Sequence, residues 1–351
     1  MNGQSWVVRF GAGISPRPQI SSVTVPLTLA LATERWPIRG SFAISRGAKT
    51  EAVVVVAELS DGRARGRGEC VPYARYGESV ESVTKAIENM RPELRRGIDR
   101  DTLQKAMRPG AARNALDCAL WDLEAKRSRR PVHDLAGLAT LRPVTTAYTI
   151  SLAEPAEMAR AAERAADRAL LKIKLGADGD PARIQAVRAA APRATLIVDA
   201  NEGWNENNLA ANLDACVQAG VALVEQPLPQ DRDDMLAHMT RPLPVCADES
   251  AHDRSSLAAL AGKYDAVSIK LDKAGGLTEA LAMAADAERR NFTIMVGCMV
   301  ATSLAMAPAM LPAQKARFID LDGPLLLSKD RVDGLRYADS LVYPPSPALW
   351  G

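Results

Sequence analysis

Seven short β-rich runs recur through the second part of the chain at an almost constant interval, and that interval limits the fold more than any single motif. With Ile173, Val198, Val224, Cys246, Ile269, Met295 and Ile319 as centres, the spacings are 25, 26, 22, 23, 26 and 24 residues. That is the length of one strand, one helix and two connections. The predicted strands are Leu171–Leu175, Leu196–Asp199, Leu223–Glu225, Val245–Ala247, Val267–Leu271, Thr293–Val296 and Phe318–Leu321, with an eighth, Val144–Thr149, ahead of them. Ala- and Leu-rich stretches at helical spacing lie between. Eight such units close into a parallel (β/α) barrel of TIM type. An open doubly wound sheet is the alternative, disfavoured because no GxGxxG follows a first strand.

The 351 residues leave room for a second domain at about 150 residues each. From about Val23 to Leu59 apolar residues alternate or cluster in β-rich bursts, and Asp61-Gly62 follows as a turn, which reads as an antiparallel meander. Helical spacing takes over at Val80–Met90 and Ala111–Ala125. The expected division is an N-terminal extension over 1–22, an α+β domain over 23–138, the barrel over 139–327, and a segment over 328–351 that packs back on the small domain.

Composition removes several function classes. Lysine plus arginine (44) nearly balances aspartate plus glutamate (42), so no strong field for nucleic acid or an anionic membrane arises. Five cysteines without a CxxC pair suit a reducing, cytoplasmic setting better than a disulfide framework or a zinc site. The apolar stretch Thr293–Leu311 is broken by Gly297, Thr302, Ser303 and Pro308, and reads as a strand and a core helix rather than a membrane span. Residues 1–22 contain no signal-peptide-like apolar run.

In a barrel of this kind, chemistry sits at the C-terminal ends of the strands. The second strand carries Lys172-Ile173-Lys174, and strand alternation aims both lysines into the mouth. The third ends in Asp199-Ala200-Asn201, the fourth in Glu225-Gln226-Pro227 and the fifth in Asp248-Glu249-Ser250. Lys270 lies on the sixth, and Asp320-Leu321-Asp322 ends the eighth. One such carboxylate is often only a helix N-cap. Three on successive strands, with no matching His or Cys cluster, describe a hard-cation site, Mg²⁺ most simply, with Mn²⁺ also fitting. Strands two and six are half a turn apart, so Lys172/Lys174 and Lys270 face one another across the mouth. Opposed amines suit proton removal on one face of a carbon and return on the other, with the cation as Lewis acid. Lys172 is expected to depress the Lys174 pKa by like-charge repulsion. A silent peptide- or carboxylate-binding barrel is the rival reading; it gains little from buried amines.

Lys172-x-Lys174, Asp199-x-Asn201, Glu225-x-Pro227, Asp248-Glu249 and Lys270 together resemble the muconate-lactonising subgroup of the enolase superfamily, over about 23–327. The Asp320-x-Asp322 element, with Gly110–Asp117, Ile269–Gly276 and Glu69-Cys70-x-Pro72-Tyr73, further resembles dipeptide epimerases of the L-Ala-D/L-Glu type. The resemblance implies that the small domain caps the barrel mouth. It implies Lys174 and Lys270 as acid/base catalysts with Lys172 tuning Lys174, and Asp199, Glu225 and Asp248 as ligands of one Mg²⁺ per subunit. Asn201 and Glu249 would sit behind these groups. Asp320 and Asp322 would bind the dipeptide's ammonium, and Arg46 or Lys49, in the capping loop Ser45–Lys49, would read a glutamyl side chain. Murein peptide recycling or breakdown is the implied setting, and a homo-oligomer is compatible with it. Other dipeptides, o-succinylbenzoate synthase chemistry and N-acylamino acid racemisation stay open as alternatives.

Overall fold

The structure, a computed structural model, describes residues 26–351. The expected N-terminal extension, and Val23 at the predicted start of the meander, lie outside the described residues. β1 (Thr28–Ile44), β2 (Gly47–Ser60) and β3 (Arg65–Cys70) form an antiparallel sheet in the order β1-β2-β3. The register of the long β1-β2 hairpin shifts between Pro37 and Phe42, where proline removes a ladder donor. Beyond the shift the hairpin projects to a tight turn at Ser45-Arg46.

β2 is buried on both faces. Val55, Ala57 and Leu59 join Leu116, Ala119 and Leu123 in the core of the small domain, while Val54 and Val56 join the barrel core. The helix Ala111–Ser128 supplies the first set. It lies so close to β3 that a Cβ on Gly66 or Gly68 would stand 2.2 or 2.1 Å from a helix carbonyl oxygen, so only glycine fits there.

β4 (Val144–Thr145) leads into the barrel. The barrel strands are β5 (Tyr148–Ile150), β6 (Leu170–Lys174), β7 (Thr195–Asp199), β8 (Val221–Glu225), β9 (Val245–Ala247), β10 (Ala266–Ile269), β11 (Thr293–Val296) and β12 (Phe318–Ile319). They form one curled sheet in chain order, parallel at every pairing. At the seam Ala147 N donates to Ile319 O at 2.7 Å. Ala147, Leu170, Ile197, Leu223, Cys246, Ala266, Met295 and Phe318 make a separate interior cluster, one residue from or beside each strand. Because side chains alternate, the residues two or four positions further on also point inward. This places Lys172, Lys174, Asp199, Glu225, Asp248 and Lys270 above that apolar layer.

Three details differ from the sequence reading. The predicted strand Val144–Thr149 is split, since β4 pairs instead with β14 (Leu341–Val342), which pairs with β13 (Tyr337–Ala338). The sixth and eighth barrel strands end early, at Ile269 and Ile319. Lys270 immediately precedes a short helix, Leu271–Ala274, that Gly275 closes in the left-handed region at φ 80°. The C-terminal segment touches both domains: Arg67 of β3 donates to Ala348 O and Leu349 O at 3.1 and 2.9 Å, and Ala169 N donates to Ser340 Oγ at 2.7 Å. Among the described residues no helix is long and apolar enough to cross a membrane.

Candidate active site at the barrel mouth

The strand ends bring Asp199, Glu225 and Asp248 together, all buried, with one oxygen of each within 4.8 Å of the others. Both Glu225 oxygens lack a hydrogen-bond partner, although Oε2 lies 2.6 Å from the Lys172 ammonium. An unpartnered buried carboxylate is costly unless a charge completes it. Three hard oxygen donors converging on one point fit a divalent cation of the Mg²⁺ kind.

Lysines grip this triad from both sides. Lys174 Nζ donates to Asp199 Oδ2 at 2.6 Å, and Lys270 Nζ donates to Asp248 Oδ2 at 2.7 Å. Room for Lys270 depends on Gly297, where a Cβ would stand 3.0 Å from the lysine's Cε. Burial alone would raise Asp199 and Asp248, but the ammonium groups outweigh it and hold both carboxyls below their ordinary range. Glu225 moves the other way, raised by burial and by the charge of Asp199. Burial opposes the charged form of Lys270, yet Asp248 and Glu225 hold its pKa well above the usual value.

Lys172, expected to tune Lys174, also meets carboxylates contributed by three other strand ends. Its ammonium donates to Asp320 Oδ2 at 2.7 Å and lies 2.6 and 3.1 Å from Glu225 and Asp199. Against its burial, these carboxylates raise its pKa strongly. It therefore ties β12 to β7 and β8 as an internal counter-charge. Strand alternation placed it inside, but could not say which carboxylates from other strands it would meet.

Asp320 keeps Oδ1 buried and unpartnered, while Asp322 Oδ2 accepts from Thr149 N at 2.6 Å. Burial, then Asp320, pushes Asp322 up to about 7. Over the mouth, Arg46 at the hairpin turn donates to Glu249 Oε1 and to Asn201 O, both at 2.6 Å, and lies 3.2 Å from Glu202. Burial, then Asp248 and Asp199, lifts Glu249 to about 7. Lys49 stands apart on exposed strand, its ammonium 5.1 Å from the Tyr73 ring centre. Two participants escaped the sequence reading of the mouth. Glu202 receives Arg75 bidentately at 2.7 and 2.8 Å, and Lys273 is buried against Asp248. Lys273 was legible only as part of the Ile269–Gly276 run.

Fold and site together define a class. Residues 27–137 match the mandelate racemase/muconate lactonizing enzyme N-terminal domain, and residues 157–346 the enolase C-terminal domain-like family. The chain belongs to this family of the enolase superfamily. It is 47% identical to the L-Ala-D/L-Glu epimerase of Escherichia coli K12 over 88% of this chain and 97% of that one. It is 44% identical to an N-acetyl-D-glutamate racemase of Pseudoalteromonas, over 85% of this chain and 95% of that one. Among solved structures it is similar to an enolase family member from Agrobacterium tumefaciens with homology to dipeptide epimerases, holding sodium and L-Ala-L-Glu. That likeness has a TM-score of 0.92 and 56% identity, covering 93% of this chain and 100% of the other.

Proposed function

We propose that this chain is a divalent-cation-dependent dipeptide epimerase that inverts the α-carbon of the second residue, with L-Ala-L-Glu and L-Ala-D-Glu as its preferred pair. The observation that carries the reading is the pair of buried lysines, Lys174 on Asp199 and Lys270 on Asp248, flanking one carboxylate triad. In its neutral form, one amine takes the α-proton as the C–H bond breaks. The opposite lysine, as ammonium, returns a proton to the other face, so configuration inverts. Mg²⁺ held by Asp199, Glu225 and Asp248, with Mn²⁺ as a substitute, would supply Lewis-acid stabilisation of the charge developing on the substrate carboxylate.

The remaining residues are assigned to binding. Asp320 and Asp322 take the dipeptide's ammonium, which answers the unpartnered Asp320 oxygen. Arg46, backed by Glu249 and Asn201, takes the glutamyl carboxylate, and exposed Lys49 plays a lesser part. The names of the relatives support a glutamyl substrate and, with it, a role in the turnover of cell-wall peptides. The five free thiols, Cys70, Cys118, Cys216, Cys246 and Cys298, support a cytoplasmic setting.

A second reading, racemisation of N-acylated glutamate, is favoured by the Pseudoalteromonas relative. The test is to incubate L-Ala-L-Glu and N-acetyl-L-glutamate separately with protein and Mg²⁺ and follow inversion by NMR. Because the acetyl group removes a charge-assisted contact, the dipeptide should be turned over at least about tenfold faster in kcat/KM. Faster turnover of the acetylated compound would transfer the assignment to the second reading.

A further inference from the structure

Lys273 is a buried charged group that the proposed mechanism leaves unused. Its three ammonium hydrogens meet three acceptors: Asp248 Oδ1 at 2.5 Å, Asp248 O at 2.5 Å and Ser268 O at 3.1 Å. Lys270 holds the other oxygen of the same carboxylate at 2.7 Å. Asp248 is thus clamped at both oxygens by two lysines three residues apart, Lys270 just before the short helix that follows β10 and Lys273 within it. That helix is itself fixed from the small domain, because the buried Arg113 guanidinium donates to Ala274 O at 2.7 Å and Gly275 O at 2.9 Å.

The two lysines are not equivalent. Lys270 reaches Asp248 with its ammonium alone and sits beside the glycine at 297. Lys273 bonds the side chain and the main chain of Asp248 together, which fixes the rotation of the carboxylate against its own backbone. We propose that Lys273 is a positioning residue for the cation site: it sets the orientation in which Asp248 offers its second oxygen to the metal, leaving Lys270 to serve the substrate. The inference rests on the metal reading of the triad given above.

Charge and orientation make opposite forecasts. Removing a cation next to a metal ligand would tighten divalent-ion binding if Lys273 acted only through its charge. Removing a hydrogen-bonding partner that orients a ligand weakens metal binding by about 10–100-fold. The experiment is Mn²⁺ titration of substrate-free protein, read by electron paramagnetic resonance, for wild type, Lys273→Met and Lys273→Gln, with folding checked by circular dichroism. The expected result is binding about 10–100-fold weaker in the methionine variant, with partial recovery in the glutamine variant, which keeps an N–H donor without the charge. Equal or tighter Mn²⁺ binding by either folded variant would overturn the proposal. Should the methionine variant not fold, weaker binding by the glutamine variant supports it and equal or tighter binding refutes it. A wild type that binds no Mn²⁺ would instead defeat the metal reading itself, so the two failures are distinguishable.

Discussion

Buried carboxylates at the barrel mouth and at the seam between the small domain and the barrel are partnered differently. At the mouth all three triad carboxylates face ammonium groups: Lys174 on Asp199, Lys270 on Asp248, and Lys172 at 2.6 Å from Glu225, whose oxygens nonetheless make no hydrogen bond. At the seam, uncharged donors hold Asp272 and Asp117, although Glu69 there also meets Arg331 at 2.7 Å. Asp272 accepts from Val71 N at 3.0 Å and Asn114 Nδ2 at 2.8 Å. Asp117 accepts from Thr278 N at 2.9 Å, Thr278 Oγ1 at 2.7 Å and Gln104 Nε2 at 2.9 Å. Burial therefore wins at the seam, raising Asp117 to about 6 and Asp272 to about 7. Ammonium groups win over burial at Asp199 and Asp248. The seam is built to hold two domains in register, and the mouth to keep charge ready for chemistry.

The sharpest way to break this contrast is to neutralise one carboxylate in each region. Glu225→Gln removes a metal-directed charge that its neighbours disfavour. Turnover should fall by at least about 10³-fold, with little change in thermal midpoint; chelation of wild type followed by Mg²⁺ restoration should remove and recover turnover in the same way. Asp117→Ala should show the converse. Leaving the Thr278 and Gln104 donors unpaired costs about 2–4 kcal/mol of stability, read by urea unfolding. The folded fraction should keep its kcat/KM within about threefold, since the change is remote from the mouth. Comparable turnover losses in both variants would erase the distinction.

A smaller effect sharpens the mouth itself. Truncating Arg46 to alanine should lower the ratio of kcat/KM for L-Ala-L-Glu to that for L-Ala-L-Met by at least about tenfold, whereas Lys49→Ala should leave the ratio nearly unchanged. The ratio cancels any general damage from freeing Glu249. Equal effects of the two variants would contradict the assignment of Arg46.

The smallest effect concerns pH. A carboxyl whose folded pKa is raised stays protonated in the folded state after the unfolded chain has released its proton. The seam's contribution is thus complete below about pH 4, the ordinary Asp value, and declines as pH rises to about 7, where Asp272 titrates. Asp199 and Asp248, held low, act in the opposite sense: their contribution is present above about pH 4 and lost on acidification. Urea midpoints at pH 5 and 7.5 should show a shallower decline for Asp272→Asn than for wild type, and an unchanged slope would refute the seam account.

The sequence made the mouth more legible than the seam. A constant unit length reveals a barrel, and alternation along a strand tells which residues face inward, so Lys172, Lys174, Asp199, Glu225 and Asp248 could be read without coordinates. Partners contributed by other strands carry no such period, and so the embrace of Lys172 by Asp199, Glu225 and Asp320 was not foreseen. Arg113, Asp117 and Asp272 stood out only as parts of motifs resembling a family. The structure shows that they dock one domain on the other, a role that depends on helix and loop approach rather than on spacing. Lys273 was hidden for a related reason: β10 ends at Ile269 and a short helix follows, which turns a residue expected beyond a longer strand back toward Asp248.

The central claim is that Lys174 and Lys270 work on opposite faces of one carbon. It is tested most directly by measuring deuterium incorporation at the second α-carbon of L-Ala-L-Glu and L-Ala-D-Glu in D₂O with Mg²⁺, for Lys174→Ala and Lys270→Ala. Each variant should lose epimerisation by at least about 10²-fold, and each should retain exchange from only one epimer, a different one in each variant. Exchange from the same epimer in both variants, or near-normal epimerisation by either, would contradict it.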